Sequence, residues 1–269
     1  MIGKLTILKL GGSVITKKEK ELTPNKRAIT RLAKEIEQAK VKHLLLIHGG
    51  GSFGHPIAEK YHIKEGYKDK YQILGFSKTH QNMIALNEIV LNALIKRRIP
   101  AVSLQPSAFV TTDNGRIKFM ETRIIRKLLE LGVTPVLYGD VILDSTLGFT
   151  ILSGDQLATS LALKLGAERI IMGVDEDGIY TADPKIDSSA RLIQYINPQE
   201  LRTLQHKIEK TNVPDVTGGM FGKILELVPA VSEGVKAIIV NGSKPNNVYR
   251  ALRKEKVLGT LIGLGERFV

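Results

Sequence analysis

The chain has no cysteine. Disulfides and thiolate metal sites are therefore excluded, and nothing in the composition calls for an oxidising compartment. Aromatic residues are scarce at 5%, which argues against a platform for stacking nucleic-acid bases. No apolar run approaches the roughly 20 residues that span a bilayer. Met1-Ile2-Gly3-Lys4 leads into a short strand without the apolar core of a secretion signal. The expectation is a cytoplasmic protein with no membrane segment. Acidic residues are in deficit, 27 against 39 lysines and arginines, for a net charge of +12. The positive residues are spread over surfaces such as 26–42, where Glu35 and Glu37 intervene, and are dense only at Lys17-Lys18-Glu19-Lys20 and Lys96-Arg97-Arg98. Most of this charge is expected on solvated surface, with a minority steering small phosphorylated substrates. Nucleic acid is not the expected partner.

Glycine, by contrast, is plentiful and clustered at the ends of apolar runs. Strands are predicted at 5–10, 43–48, 100–104, 134–138, 169–174 and 237–240, and a small hairpin at 116–119. Helices are predicted over 26–39, 76–98, 122–131, 155–165 and 218–231, with Asn197-Pro198-Gln199-Glu200 opening another. This alternation gives an α/β fold with a mainly parallel sheet covered by helices on both faces, one domain over 1–269 with two lobes. Polar and glycine-rich segments follow the strands directly, where open α/β sheets bind ligands.

The central stretch is His48-Gly49-Gly50-Gly51-Ser52-Phe53-Gly54-His55-Pro56, after the apolar run 43–47. A turn without Cβ atoms can press its N–H groups against an anion, and a histidine at each end adds donors that can carry charge. Lys9-Leu10-Gly11-Gly12-Ser13 is a second such turn. It fits neither the Walker loop nor the dinucleotide fingerprint, yet offers N–H groups beside a cation. A lysine inside an otherwise apolar run points to a charged partner or ligand. Asp215-Val216-Thr217-Gly218-Gly219-Met220-Phe221-Gly222-Lys223 is a third, at a predicted helix start, with Thr217 as a possible cap. Asp155 in Ser153-Gly154-Asp155 is either an N-cap or an anchor that orients lysines. Three glycine turns with lysines suggest phosphoryl transfer, which needs mainly positioning and charge neutralisation. A phosphate monoester, mostly a dianion at neutral pH, needs no strong general base as acceptor.

These residues, together with Tyr138-Gly139-Asp140 and Val174-Asp175-Glu176-Asp177-Gly178-Ile179-Tyr180, resemble the amino acid kinase superfamily along essentially the whole chain. Within it, Gly51-Ser52-Phe53-Gly54-His55-Pro56 is most similar to the isopentenyl phosphate kinases. The resemblance implies a three-layer α/β/α sandwich and transfer of a phosphoryl group from ATP, carried with Mg2+ on its phosphates, to an isoprenoid monophosphate. It implies an acceptor lobe over about 1–165, an ATP lobe over about 166–269, and a homodimer. His55, Lys9, Lys18, Lys223 and Asp155 become the catalytic candidates, with Lys17 a rival to Lys18. Gly49, Gly50, Gly54, His55, Ser153 and Gly154 would hold the acceptor, with Phe76, Met83 and Ile84 at its alkyl tail or in ordinary core packing. Lys9, Gly11, Gly12, Ser13, Asp175, Asp177, Gly178, Tyr180, Asp183, Gly218 and Lys223 would hold the nucleotide, and no dedicated metal ligands are expected. Gln156 departs from the Gly-Asp-Asp of many relatives. Alternatives are a phosphonate kinase such as a fosfomycin kinase, a carboxylate kinase, or a nucleotide-binding protein without turnover.

Overall fold

A computed structural model describes residues 3–184, 186–197, 199–200 and 220–263. Fourteen strands are described: β1 (Thr6–Leu10), β2 (Leu44–His48), β3 (Ala101–Ser103), β4 (Val110–Asp113), β5 (Arg116–Met120), β6 (Thr134–Tyr138), β7 (Asp140–Asp144), β8 (Gly148–Leu152), β9 (Arg169–Val174), β10 (Ile179–Tyr180), β11 (Leu192–Ile193), β12 (Tyr195–Ile196), β13 (Lys236–Asn241) and β14 (Gly259–Ile262). The helices used below are α1 (Gly12–Ile15), α2 (Lys26–Ala39), α3 (His55–Lys60), α4 (Tyr71–Lys96), α5 (Arg123–Glu130), α6 (Gly154–Leu165), α7 (Met220–Ser232) and α8 (Asn247–Arg253). An eight-stranded sheet runs β12-β14-β13-β9-β1-β2-β6-β3, parallel except between β13 and β14. A four-stranded sheet, β5-β4-β7-β8, stands beside it.

Period-two alternation divides the core into two layers around the large sheet. Leu5, Ile7, Leu45 and Ile47 pack with α5, α6 and α7 through residues such as Ile125, Leu157, Leu161 and Leu227. Leu8, Leu10, Leu44 and Leu46 pack with α2, α4 and α8 through Leu32, Leu86 and Val248. The three-layer α/β/α sandwich is thus present. The same parity assigns the polar residues of the two central strands. Lys9 shares the face of Ile7, toward α6, and His48 shares the face of Leu46, toward α4.

Local signals account for most element boundaries. Asn25 caps α2, its side-chain oxygen accepting the Ala28 N–H at 3.2 Å. Gly166 closes α6 in the left-handed region at φ +67. Helix α4 begins at Tyr71, five residues before the predicted start at 76. The Asp69 carboxylate accepts the N–H groups of Tyr71 and Gln72, at 2.8 and 3.3 Å. Glycine is required at position 75 of this helix because a Cβ would lie 2.2 Å from the Tyr61 ring. The predicted hairpin at 116–119 is β4–β5, and a second hairpin, β7–β8, was not anticipated. Its turn is built around buried Asp144, whose carboxylate accepts N–H groups from Asn114, Gly115, Thr146 and Leu147.

Candidate active site

The carboxyl ends of the central strands converge, since Leu10 is in register with both His48 and Gly173, and His48 with Tyr138. The segments after β1, β2, β6 and β9 leave the sheet along this edge, and Ser153-Gly154-Asp155, which follows β8 of the smaller sheet, comes against it, a Cβ on Gly139 lying 3.2 Å from Gly154 N. The first two glycine turns interlock. A Cβ on Gly12 would fall 2.2 Å from Gly51 N, and one on Gly51, at φ +47, would fall 2.1 Å from the Thr16 hydroxyl. These glycines therefore let one loop seat on the other, a role the sequence did not suggest. The N–H of Gly11 donates to Gly173 O at 2.7 Å and that of Gly49 to Leu10 O at 2.9 Å, so both are committed to extending the sheet rather than aimed at a ligand. The start of α1 at Gly12 and Ser13, and the turn at Gly50, remain at the edge.

Lys9 is almost fully buried and its Nζ lies 2.6 Å from Asp155 Oδ1. This is a charge contact rather than an aligned hydrogen bond. Gly154 lies beside this pair, a Cβ there standing 3.5 Å from Lys9 Cε, in ordinary contact. The N-cap of α6 is Ser153, whose Oγ accepts the Gln156 N–H at 3.1 Å. Of the two readings of Asp155, the structure therefore supports the lysine anchor and gives the cap to Ser153.

The two histidines bounding the central loop have different environments. His48 is fully buried, with Nδ1 3.1 Å from Gly49 O and Nε2 3.1 Å from Asn87 Oδ1. Burial lowers its pKa to about 4. The ring also stacks on Tyr138 at 5.4 Å. His55 opens α3 and is exposed. Its pKa is held below the ordinary histidine value, first by the desolvation of its setting and then by the charges of Lys223 and Lys9, with Glu59 and Asp155 opposing. His55, Lys9, Lys223 and Asp155 thus share one electrostatic neighbourhood.

On the other side of Ser13, Asp175 accepts from the Ser13 hydroxyl at 2.9 Å and from Lys18 Nζ at 2.7 Å. Burial opposes ionisation of Asp175, but these two donors outweigh it and keep the carboxyl below its usual range. Between Lys17 and Lys18, Lys18 is the one tied to this edge. Asp177 accepts from Asn241 at 3.0 Å and from Lys244 at 2.8 Å, and both residues escaped the sequence reading. The polar run Asn241-Gly242-Ser243-Lys244 at a strand's carboxyl end was the available signal. Gly178 passes so close to Thr260 that a Cβ would lie 2.6 Å from its hydroxyl oxygen, and Tyr180 follows in β10. The carbonyl of Asp183 closes a turn by accepting from Ile186 and Asp187.

Met83 is buried under the central loop, its sulfur 2.9 Å from where a Cβ on Gly50 would sit and 3.1 Å from that of Gly54. It supports the turn from below. Phe76 packs on Phe149 at 5.4 Å beside Tyr61, Ile63 and Val141, and Ile84 is half-buried on α4. Gly218 and Thr217 lie outside the described residues. Among the described residues there is no group of three His, Asp or Glu side chains placed to hold a metal, and no helix long and apolar enough to cross a membrane.

The profile of the amino acid kinase family matches residues 4–241. The isopentenyl phosphate kinase of Methanothermobacter thermautotrophicus is 44% identical to this chain, over 96% of it and 98% of the relative. The chain belongs to the amino acid kinase family, among its isopentenyl phosphate kinases. A second relative of that name, from Methanocaldococcus jannaschii, is 36% identical over 97% of this chain and all of its own length. A crystal structure of an isopentenyl phosphate kinase superposes with a TM-score of 0.85 at 41% identity, covering 96% of this chain and all of the other.

Proposed function

We propose that the protein phosphorylates isopentenyl phosphate with ATP, forming isopentenyl diphosphate and ADP. A phosphate oxygen of the acceptor attacks the γ-phosphorus of ATP as the bond to the β–γ bridging oxygen breaks. Two anions must approach, and the barrier is chiefly their repulsion, so fixed cations are the main catalytic resource. Lys9 and Lys223 would flank the moving phosphoryl group, with Lys9 oriented by Asp155. His55, Gly50 and Gly54 would grip the acceptor phosphate, with Ser153 and Gly154 behind it. Ser13, Gly12, Lys18 and Gly218 would meet the nucleotide phosphates, and Asp175, Asp177, Gly178, Tyr180 and Asp183 the ribose and base. Mg2+ would arrive on the ATP phosphates. The alkyl tail would run toward Phe76 and Ile84, over the loop that Met83 supports. Residues to about 165 would thus form the acceptor lobe and the remainder the ATP lobe of a cytoplasmic homodimer.

One observation carries this reading: buried Lys9, paired with Asp155 at 2.6 Å, and the glycine loop that leads from His48 to His55 lie at the same edge of the sheet, where the charges of Lys223 and Lys9 help hold the His55 imidazole below its ordinary value. A neutral imidazole in a cationic field can donate a hydrogen bond, and an arriving phosphate dianion would favour its protonation. The test is an ATP assay with isopentenyl phosphate, followed by phosphorus NMR. The diphosphate and ADP should appear in equal amounts. Absence of the diphosphate, with turnover of a phosphonate or carboxylate acceptor instead, would overturn the reading.

A further inference from the structure

Gln156 is 6% exposed and follows Asp155 in α6. Its amide is engaged at both its oxygen and its nitrogen with the tip of the β4–β5 hairpin. Oε1 accepts the Ile117 N–H at 3.0 Å, and Nε2 donates to Gly115 O at 3.1 Å. Between those two backbone positions, Arg116 reaches the opposite way, donating two parallel bonds to Glu226 at 2.6 and 3.0 Å. Glu226 lies on α7 one turn beyond Lys223. The segment 115–117 is therefore held from both sides, by the neighbour of Asp155 and by a residue one turn from Lys223.

We propose that the hairpin tip is a tie that sets the spacing between α6 and α7, and that Gln156 and Arg116 are positioning residues for phosphoryl transfer. Neither touches the reacting phosphates. Each acts through a helix that carries a charge felt by His55. A planar amide that both donates and accepts fixes the strand in register as well as in distance. An aspartate at position 156, as in the Gly-Asp-Asp of relatives, has no donor for Gly115 O. The Arg116–Glu226 fork supplies direction through its two parallel bonds. Because Arg116 is largely exposed, the pair contributes little to stability. A misplacement of about 1 Å at a reacting centre can nevertheless cost up to about 100-fold in rate.

This inference rests on the kinase reading above, and its test separates the two. The full-length wild type, Gln156→Leu, Arg116→Glu and the swap Arg116→Glu/Glu226→Arg are assayed with ATP and isopentenyl phosphate, below the melting temperature of each. Amide exchange along α7 is measured in the same samples. For both single variants kcat should fall roughly 10-fold with the acceptor KM nearly unchanged, a tenth of the loss that full misplacement can produce. Exchange in α7 should quicken in Arg116→Glu, and the swap should restore both readouts. Wild-type kcat in Arg116→Glu, or a loss that the swap does not repair, overturns the tie. So does a lowered melting temperature with unaltered kcat. Should Gln156→Leu fail to fold, Arg116→Glu alone decides, since it changes only a surface side chain. If the wild type itself does not turn over isopentenyl phosphate, the substrate reading fails, and α7 exchange in Arg116→Glu and the swap still decides the tie.

Discussion

The two ends of the glycine loop have the same residue type and opposite physics. At its foot, His48 faces α4, sealed from water, with Gly49 O and Asn87 Oδ1 each 3.1 Å from a ring nitrogen. At its head, His55 stands exposed at the start of α3 within reach of two lysine charges. The foot anchors the loop and the head is available to a ligand. Strand parity decides this: His48 is the last residue of β2 and inherits the inward face of Leu46, whereas His55 lies past the turn. A histidine beside glycines is therefore not a site by virtue of composition. What distinguishes the two is whether the ring is enclosed by protein or open to an arriving ligand.

The sharpest way to break the comparison lies in the charge that both loop and sheet present to His55. Lys9→Ala removes a buried cation and leaves Asp155 without its 2.6 Å partner. We expect kcat to fall by about 100- to 1000-fold, the scale of losing a preorganised electrostatic contact. Steady-state kinetics with saturating ATP and acceptor checks this, and Lys9→Arg should recover part of the loss. Rates close to wild type in Lys9→Ala would mean that the lysine serves the sheet alone.

His55→Asn comes next. The amide keeps a donor but cannot take a charge, so kcat should fall about 10- to 100-fold while the melting temperature stays within a few degrees. His48→Leu should show the reverse pattern. It strands Gly49 O and the Asn87 amide in a dry interior, which costs about 1–3 kcal/mol. Its kcat, measured well below melting, should change less than that of His55→Asn. Equal kinetic losses in the two variants would erase the distinction between foot and head.

Much of this arrangement was legible in the chain. Lys9 within Leu8-Lys9-Leu10 called for a charged partner and has Asp155. The apolar runs before Gly11, Gly49 and Asp175 are the central strands. Asn25 announced α2. What was hidden depended on pairings distant in sequence. Nothing local to Gly12 or Gly51 says that the two backbones touch, because the reason for each glycine is the other loop. Residues alone left His48 and His55 equivalent, and the preference for His55 came from resemblance. The early start of α4 depends on a distant pairing too, since Gly75 lets the helix pack on Tyr61, where a Cβ would lie 2.2 Å from the ring. The β7–β8 hairpin escaped because its turn is held by Asp144, a contact that includes the neighbouring β4–β5 hairpin.

A last test, with no direct effect on turnover, isolates the foot of the loop by its proton. The folded His48 titrates near pH 4, against an ordinary value of 6.5. The lowered value means that the unfolded chain takes up the proton first. Stability from this residue is fully present above pH 6.5 and is lost as the pH falls toward about 4. Within that window it should contribute a slope of up to about 1.4 kcal/mol per pH unit, one proton's worth. Other groups act in the same range. Burial raises the Asp140 carboxyl to about 6 against the pull of His80, so its contribution has the opposite sign and is lost as the pH rises through that value. Wild type alone would therefore give a composite curve. The difference between wild type and His48→Leu removes the shared terms, since Asp140 and the depressed Asp144 are present in both. Denaturant titrations from pH 7 to pH 4 should show the wild type losing stability faster than the variant, the two converging as the proton is bound. Parallel curves would show that His48 is charged, or open to water, in the folded protein, and the contrast between the two ends of the loop would fail at its foot.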